Sequence, residues 1–203
     1  MTTTEEIVRD SRWELRVWGI DAGVADALSS LSPDPEMIAQ VDCFLIGPRH
    51  EFSARIRGGE LEVKRLLERR AGFQRWSPDW TSSPPHEPAQ LERLFIELGA
   101  GLDDAKLSSM NNGELVDLVR SKNRLRAVDV STKSRHFDVG VVDAEVTEVE
   151  IDGAAPMKCV LLQSSDIERA IELRDQLGLQ GAPNVALHTE IKHTIARTAP
   201  DGD

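Results

Sequence analysis

The sequence predicts an α+β fold: an antiparallel β-barrel whose charged face points into a lumen and whose apolar face points outward to helices. The prediction depends on short runs of alternating residues, because side chains two positions apart in a strand share one face. In the run RWELRVW, Leu15 and Val17 share the apolar face, whereas Glu14 and Arg16 share the charged one. The same alternation recurs in ARIR, ELEVKRL and TEVEID. One such strand also suits a half-solvated open sheet, but several in one chain favour a barrel with an anion-binding lumen.

Hydrophobic periodicity and turn residues divide the chain into strands and helices. The predicted strands are 12–18, 37–46, 52–57, 60–67, 72–80, 115–130, 132–142, 142–151 and 157–163, with the last two joined by an Asp152-Gly153 turn. The predicted helices are 22–31, ended by an SPDP turn, 88–98, begun by a proline, and 166–178, capped by Ser165 or Asp166. The segment 184–195 suits either a helix or a strand.

The clearest hairpin in the sequence has Gly58 and Gly59 at its turn. Two consecutive glycines readily adopt the positive φ angles of a two-residue hairpin turn. A turn of fixed length also fixes the register of the two strands. Arg55, Arg57 and Lys64 are therefore expected on one face.

Length and composition predict one domain over residues 1–203, ordered over roughly 10–197 between short polar termini. The 203 residues are 40% hydrophobic, which is enough for a core, and carry a net charge of −11. That charge argues against a surface that coats nucleic acid. Acidic residues dominate the helical segments, whereas arginine and lysine concentrate in the strand-like runs. This separation predicts a local anion site.

Cysteine spacing and the N-terminal composition predict a cytoplasmic protein. Cys43 and Cys159 lack metal-ligand spacing and lie in apolar runs, so we expect buried free thiols in a reducing compartment. The N-terminus MTTTEEIVRD lacks the basic and apolar regions of a signal peptide. No apolar stretch approaches the length of a membrane span, and we expect no membrane association.

Short motifs occur in a definite order along the chain. An alternating charged first strand is followed by a strand ending at a Gly-Pro turn, then RxR, ExK beyond a glycine turn, KxR, TEVEID, QSSD at a helix start and a late LGL…N…H segment. This order resembles the CYTH family, or triphosphate tunnel metalloenzymes, over most of residues 12–195. The resemblance implies an eight-stranded antiparallel tunnel, in which basic side chains hold a triphosphate and carboxylates hold one or two divalent metal ions. The family includes inorganic and thiamine triphosphatases, RNA triphosphatases and class IV adenylate cyclases.

Two positions differ from the motifs of that family. The opening ExExK pattern stands here as RWELR, so Arg12 replaces the first glutamate. The late ESxD pattern stands as QSSD, so Gln163 supplies an amide in place of a carboxylate. Because a cation opposes metal entry and an amide is a poorer ligand, we expect a weaker metal site, or one ion rather than two.

Basic side chains on the charged face suit a triphosphate, because the planar guanidinium group matches the geometry of phosphate oxygens. The candidate phosphate-binding residues are Arg16, Arg55, Arg57, Lys64, Arg124 and Arg135. For Lys122, Arg126 and Lys133, exposure on edge strands explains the sequence equally well.

Divalent magnesium or manganese requires oxygen ligands, and Mg²⁺ commonly uses one or two carboxylates together with phosphates and water. Glu14, Glu148 and Glu150 are the candidate metal-binding and catalytic residues. The ion would neutralise charge on the phosphoryl oxygens and orient water. Strand parity places Glu14, Arg16, Arg55, Arg57, Lys64 and Glu148 in the lumen, and Trp13, Leu15, Val63 and Val149 against helices.

Two classes of function fit these residues. The first is a metal-dependent hydrolase of inorganic, nucleoside or other organic triphosphates. The alternative is a catalytically degenerate module that binds a nucleotide or polyphosphate. A class IV adenylate cyclase is less favoured, because the cyclase HF motif precedes the first strand, whereas here His136-Phe137 comes late. The expected partner is a triphosphate or nucleotide, and the sequence leaves a homodimer open.

Overall fold

A closed eight-stranded barrel forms the centre of the fold. The computed structural model describes residues 11–101, 107–151 and 154–198. Its strands are β1 (Arg12–Trp18), β2 (Glu36–Ile46), β3 (Phe52–Arg57), β4 (Glu60–Arg70), β5 (Phe73–Ser82), β6 (Arg126–Val139), β7 (Val142–Ile151) and β8 (Met157–Ser164). They follow the order β1-β5-β4-β3-β2-β6-β7-β8 around the barrel. The predicted antiparallel barrel is confirmed.

Five helices belong to the described part of the chain and surround the barrel. They are α1 (Ala22–Leu31), α2 (Pro88–Leu98), α3 (Asn112–Ser121), α4 (Ile167–Gln176) and α5 (Leu187–Thr198). Of the two caps predicted for α4, Asp166 is the one observed, with its carboxylate accepting from the backbone N–H groups of Glu168 and Arg169. The segment left open as helix or strand is the helix α5. The predicted Asp152-Gly153 turn lies outside the described residues.

The strand predicted over 115–130 is wrong in its first half, because residues 115–121 belong to the helix α3. The single strand β6 spans the end of that range and most of the strand predicted over 132–142. Asn111 and Glu114 begin α3 with a reciprocal capping box, which satisfies two otherwise free backbone N–H groups. Leu115 and Val119, four residues apart, are buried on one helix face. The helical spacing therefore outweighed the polar composition from which strands had been predicted.

The chain divides into two compact units. The first unit comprises Met1–Gln40, Leu66–Ser77 and Ser131–Asp203, and the second comprises Val41–Arg65 and Pro78–Val130. The prediction of a single domain over 1–203 stays a prediction.

The core of the first unit packs the apolar face of β1 against helices. Leu15 and Val17 of β1 share one buried cluster with Leu28 of α1 and with Ala170 and Leu173 of α4. The opposite face of β1, which carries Glu14 and Arg16, therefore points into the barrel, because neighbouring side chains in a strand alternate between faces. This confirms the parity predicted for β1.

The core of the second unit is built in the same way. Ala54 of β3 and Val63 of β4 lie in one cluster with Leu94 and Phe95 of α2 and with Leu115 of α3. β3 and β4 pair in the register expected from the Gly58-Gly59 turn, with Ala54 opposite Val63 and Arg55 opposite Glu62. The charged residues of these strands consequently occupy the interior face.

No helix in the described ranges combines the length and apolar character needed to cross a membrane.

Candidate functional site

The interior face of the second unit carries a compact group of paired charges. Asp42 of β2 accepts from Arg57, with 2.9 Å between Oδ1 and Nε and 2.5 Å between Oδ2 and the terminal nitrogen. Arg55 contacts the same carboxylate at 3.6 Å and donates to Glu62 at 2.7 Å. Lys64 lies on this face two residues beyond Glu62. Three of the predicted phosphate-binding residues are therefore on the interior face of one unit.

Burial shapes the electrostatics of this group. The Asp42 side chain is only 2% exposed, whereas those of Arg55 and Arg57 are 19% and 33% exposed. Burial, with the positive charge of Arg57, lowers the pKa of Arg55, although Glu62 and Asp42 oppose the shift. Two guanidinium groups held beside each other in this way can bind an anion, provided that the anion competes with the carboxylates already present.

The interior face of the first unit has a different composition. Glu14 lies opposite Gln163, and Gln163 lies opposite Asp143 on the next strand. The Gln163 amide donates to Glu14 Oε1 at 2.9 Å. Glu14, a predicted site residue, thus has the Gln163 amide on the neighbouring strand β8 and a second carboxylate, Asp143, on β7, the strand beyond.

Arg16 occupies the next interior position along β1. Its guanidinium donates to Cys159 Sγ at 3.0 Å. Burial acts to lower the pKa of Arg16, but Cys159, Glu145 and Glu14 together leave that pKa raised. Burial also raises the pKa of the Cys159 thiol despite the adjacent Arg16. Near neutral pH the thiol is therefore protonated, and the carboxylates are the groups that balance the charge of Arg16.

Glu145, the interior residue of β7 beyond Asp143, lies next to His136. Their closest ionisable atoms, Oε1 and Nδ1, are 3.5 Å apart. Further along the same two strands, the hydroxyl groups of Ser134 and Thr147 are 2.9 Å apart and buried. These contacts establish which residues of β6 and β7 face the interior.

The predicted interior position of Glu148 and Glu150 is wrong. The pairing of β7 with β8 is uninterrupted from Asp143 to Val149, so parity does not change along the strand. Val142, Ala144 and Val146 belong to the outer cluster with the helices, and Glu148 and Glu150 share their face. Val149, predicted to face helices, is on the interior face for the same reason.

The two remaining phosphate-binding candidates are also outside the interior face. Arg135 alternates with Ser134 and shares parity with Phe137, which packs in the outer cluster. Arg124 is exposed in the turn between α3 and β6 rather than on a strand. Arg124 was predicted on a strand but precedes the start of β6, whereas Arg135 lies on β6 as predicted but with its side chain on the outer parity.

Sequence reasoning missed several interior acids: Asp42, Glu62, Asp143 and Glu145. Glu62 was placed on the charged face but given no role. On β7, the apolar residues are even-numbered up to Val146 and odd-numbered from Val149 onward. Alternation alone therefore does not decide which face of β7 points into the barrel. The outer-cluster residues Val142, Ala144 and Val146 supply the signal that would have identified Glu145. Asp42 stands in an apolar run, where only the pairing with β3 reveals its role.

The interior carboxylates match the needs of a divalent metal ion only in part. Among the described residues, no group of three or more histidine, cysteine, aspartate or glutamate side chains is arranged to hold one. Glu14 and Asp143 nevertheless supply hard oxygen donors of the kind that Mg²⁺ and Mn²⁺ prefer. They fit an ion that obtains most of its ligands from phosphate oxygens and water. They do not form an all-protein cage.

Comparison with solved structures finds several proteins to which this chain is similar. The chain is similar to the PH1012 protein from Pyrococcus horikoshii OT3, with a TM-score of 0.50 and 13% identity over 89% of this chain and 98% of that chain. It is also similar to HpAC1 from Hippeastrum, an adenylyl cyclase candidate described as revealing a dominant triphosphatase activity (TM-score 0.49, 13% identity, 90% and 95% covered). A third similar structure is a conserved protein from Pyrococcus furiosus (TM-score 0.48, 15% identity, 89% and 99% covered).

Identities this low concern the fold alone. The sequence matches no family model and no curated protein. The likeness to PH1012 covers almost the whole of both chains and agrees with the closed antiparallel barrel described above. The fold implied by the CYTH resemblance, an eight-stranded tunnel, is therefore confirmed.

Proposed function

We propose that this protein hydrolyses a triphosphate, inorganic or organic, in the charged interior of its barrel. The observation that carries the proposal is the pair Arg55 and Arg57, half-buried on the interior face and held by Asp42 and Glu62. A triphosphate bears several negative charges, and two adjacent guanidinium groups provide a matching set of donors. Lys64 in the second unit and Arg16 in the first are the further cations proposed to bind phosphate.

The interior carboxylates support this role by fixing the arginine side chains before the substrate arrives. Glu62 orients Arg55, and Asp42 orients Arg57. A side chain that is already held loses little conformational freedom on binding. Positioning and charge stabilisation are the main contributions that a protein makes to phosphoryl transfer.

A divalent ion, Mg²⁺ or Mn²⁺, is the proposed cofactor, with Glu14 and Asp143 as its protein ligands. When bound, it would neutralise charge on the phosphoryl oxygens. The Gln163 amide holds one Glu14 oxygen, which keeps the carboxylate at its interior position. With Arg12 and Gln163 at positions where the family motif has acids, we expect the ion to enter together with the substrate.

Release of inorganic phosphate from tripolyphosphate and nucleoside triphosphates, with Mg²⁺ or Mn²⁺, tests the proposal. The wild type should turn over at least one of them, and Glu14→Gln should reduce the rate by about a hundredfold, as loss of an important electrostatic group does. Glu150→Gln is the matched control, because it makes the same change on the outer face and should retain the rate. Equal losses in both variants would contradict the assignment of Glu14.

The second candidate is a binding module without catalysis. It is favoured by the interior face of β8, where Cys159, Leu161 and Gln163 provide no carboxylate. Calorimetry with tripolyphosphate separates the two functions. Binding without phosphate release, with either metal ion, would support the module, whereas metal-dependent release would support the hydrolase. Class IV cyclase activity would appear as cyclic nucleotide formed from ATP, which we do not expect.

Two further expectations belong to this proposal. The free thiols Cys43 and Cys159 are consistent with a cytoplasmic location. A homodimer is left open and would be detected by the mass of the protein in solution.

A further inference from the structure

The outer face of the first unit has a groove that the proposed hydrolysis does not use. The outer groove lies between the start of α1 and the strands β6, β7 and β8, with a volume of about 360 Å³. That volume is at the small end of ligand-binding sites. Glu148, which the sequence placed in the lumen, and Arg135, a candidate phosphate-binding residue, both line this groove on the outside of the barrel.

Three cations line the strand wall of the outer groove: Lys133 and Arg135 on β6, and Lys158 on β8. Lys158 lies directly opposite Glu148 in the β7–β8 register. Neither Lys133 nor Lys158 makes an ion pair with another residue in the described part of the chain. The strand wall thus combines three positive charges with one carboxylate, and two of its ammonium groups are available to an anion.

The rest of the groove is largely apolar, with acids at the helix. Ile20, Ala22 and Val146 provide apolar surface, and Met37, whose side chain is 67% exposed, adds a flexible thioether that packs well against an aromatic ring. Asp21 and Asp26 belong to the α1 wall. Because these acids repel an anion, a phosphate would take the strand wall and an apolar body would lie toward the helix.

We propose that the outer groove binds a small organic phosphomonoester with an aromatic or apolar body, of the size of a nucleoside monophosphate. The phosphate contacts Lys133, Lys158 and Arg135. The body lies on Ile20, Val146 and Met37. This site is separate from the barrel interior and does not rest on the proposed hydrolase activity, since all of its lining residues belong to the outer face of the first unit.

Titration of the full chain with AMP tests the site. Backbone amide NMR locates the binding, and calorimetry measures the affinity. AMP should shift the amide signals of Ala22, Ala25 and Val146, and it should bind more tightly than inorganic phosphate or adenosine, which each lack one half of the ligand. Shifts confined to interior residues, or no binding of AMP at millimolar concentration, would overturn the proposal.

Two double variants separate a specific groove from general attraction of anions. The double change Lys133→Gln with Lys158→Gln should weaken AMP binding about tenfold, in line with the loss of two charge-assisted contacts. The double change Arg69→Gln with Arg120→Gln removes the same charge from exposed positions elsewhere and should have little effect. Equal losses in the two double variants would overturn the site.

Two further variants change the free volume of the groove and the charge of its strand wall. Ala22→Trp fills the groove without changing its charge and should abolish AMP binding. Glu148→Gln removes the one carboxylate of the strand wall and should tighten AMP binding about threefold, because a like charge near the phosphate is lost. Unchanged AMP affinity in Ala22→Trp, or weaker binding in Glu148→Gln, would contradict the placement of the phosphate.

Discussion

The two units place charge on their interior faces by different means. In the second unit, Arg55 and Arg57 are compensated by Asp42 and Glu62, which accept hydrogen bonds directly from them. In the first unit, Arg16 donates to a thiol, and the nearby Glu14 is held by an amide. The second unit is thus an ion-paired cluster whose members depend on one another. The first combines the cation of Arg16 with a carboxylate that accepts from a neutral amide, a composition that suits the arrival of a metal ion or substrate.

The strongest test of this difference is the removal of Asp42. Asp42→Asn leaves two half-buried guanidinium groups without their shared carboxylate, and breaking a fully buried ion pair costs about 3 to 5 kcal/mol. Because the arginine side chains are 19% and 33% exposed, we expect a loss of about 2 to 4 kcal/mol in the free energy of unfolding, measured with urea.

The matched comparison is Glu14→Gln in the first unit. It should change the free energy of unfolding by less than about 1 kcal/mol, since a partly exposed charge contributes little to stability. Adding Arg57→Gln to Asp42→Asn should restore part of the loss. Equal destabilisation by Asp42→Asn and Glu14→Gln would show that the two faces do not differ as described.

The second test concerns the anion. Arg55→Ala removes one half of the guanidinium pair and should weaken tripolyphosphate binding at least tenfold, because charge-assisted hydrogen bonds to phosphate are lost. Lys64→Ala should act in the same direction. Arg55→Ala should lower the melting temperature, because Glu62 and Asp42 lose a cation that pairs with them, but by less than Asp42→Asn, since Arg57 still donates to Asp42. Unchanged affinity in both variants, measured by calorimetry, would remove the basis for phosphate binding in the second unit.

The sequence predicted β1, β3 and the helices α1 and α2 with their observed bounds, because alternation, glycine turns and caps are local signals. It also oriented Arg16, Arg55 and Lys64 correctly. It failed for Glu148, because both parities of β7 carry apolar residues and only the pairing with β8 decides between them. It missed Asp42 for a related reason, since the partner that explains a buried acid comes from another strand. Local patterns can be recognised in the sequence, whereas the partners of a residue on a neighbouring strand are known only once the strand register is known.

A smaller effect is expected from restoring acids in the first unit. Arg12→Glu with Gln163→Glu places carboxylates near Glu14, where like charges raise one another's pKa and favour a cation. The double variant should bind Mn²⁺ several-fold more tightly than the wild type, as measured by electron paramagnetic resonance. Glu150→Gln on the outer face should leave Mn²⁺ affinity unchanged. No gain in the double variant would show that β1 and β8 do not form the metal-binding face.

The smallest expected effect concerns the pKa of the two cysteine thiols, which differ in the charged residue beside each. Burial, then the hydrogen bond and negative charge of Asp129, raises the pKa of Cys43 to about 12, whereas Arg16 acts to lower that of Cys159. A raised thiol pKa means that the folded state favours the neutral thiol. The contribution of Cys43 to the free energy of unfolding is therefore complete below the unfolded pKa near 8.5 and is lost as pH rises toward 12.

Asp129→Asn should therefore lower the pKa of Cys43 and speed its alkylation at pH 9 by a few-fold, since the thiolate is the reactive species. The measurement uses a Cys159→Ser background, so that only one thiol is labelled. A lowered pKa moves the whole pH–rate curve to lower pH. A local loosening of the strand would instead raise the rate by one factor at every pH, and that outcome, or no change at all, would contradict the electrostatic role of Asp129.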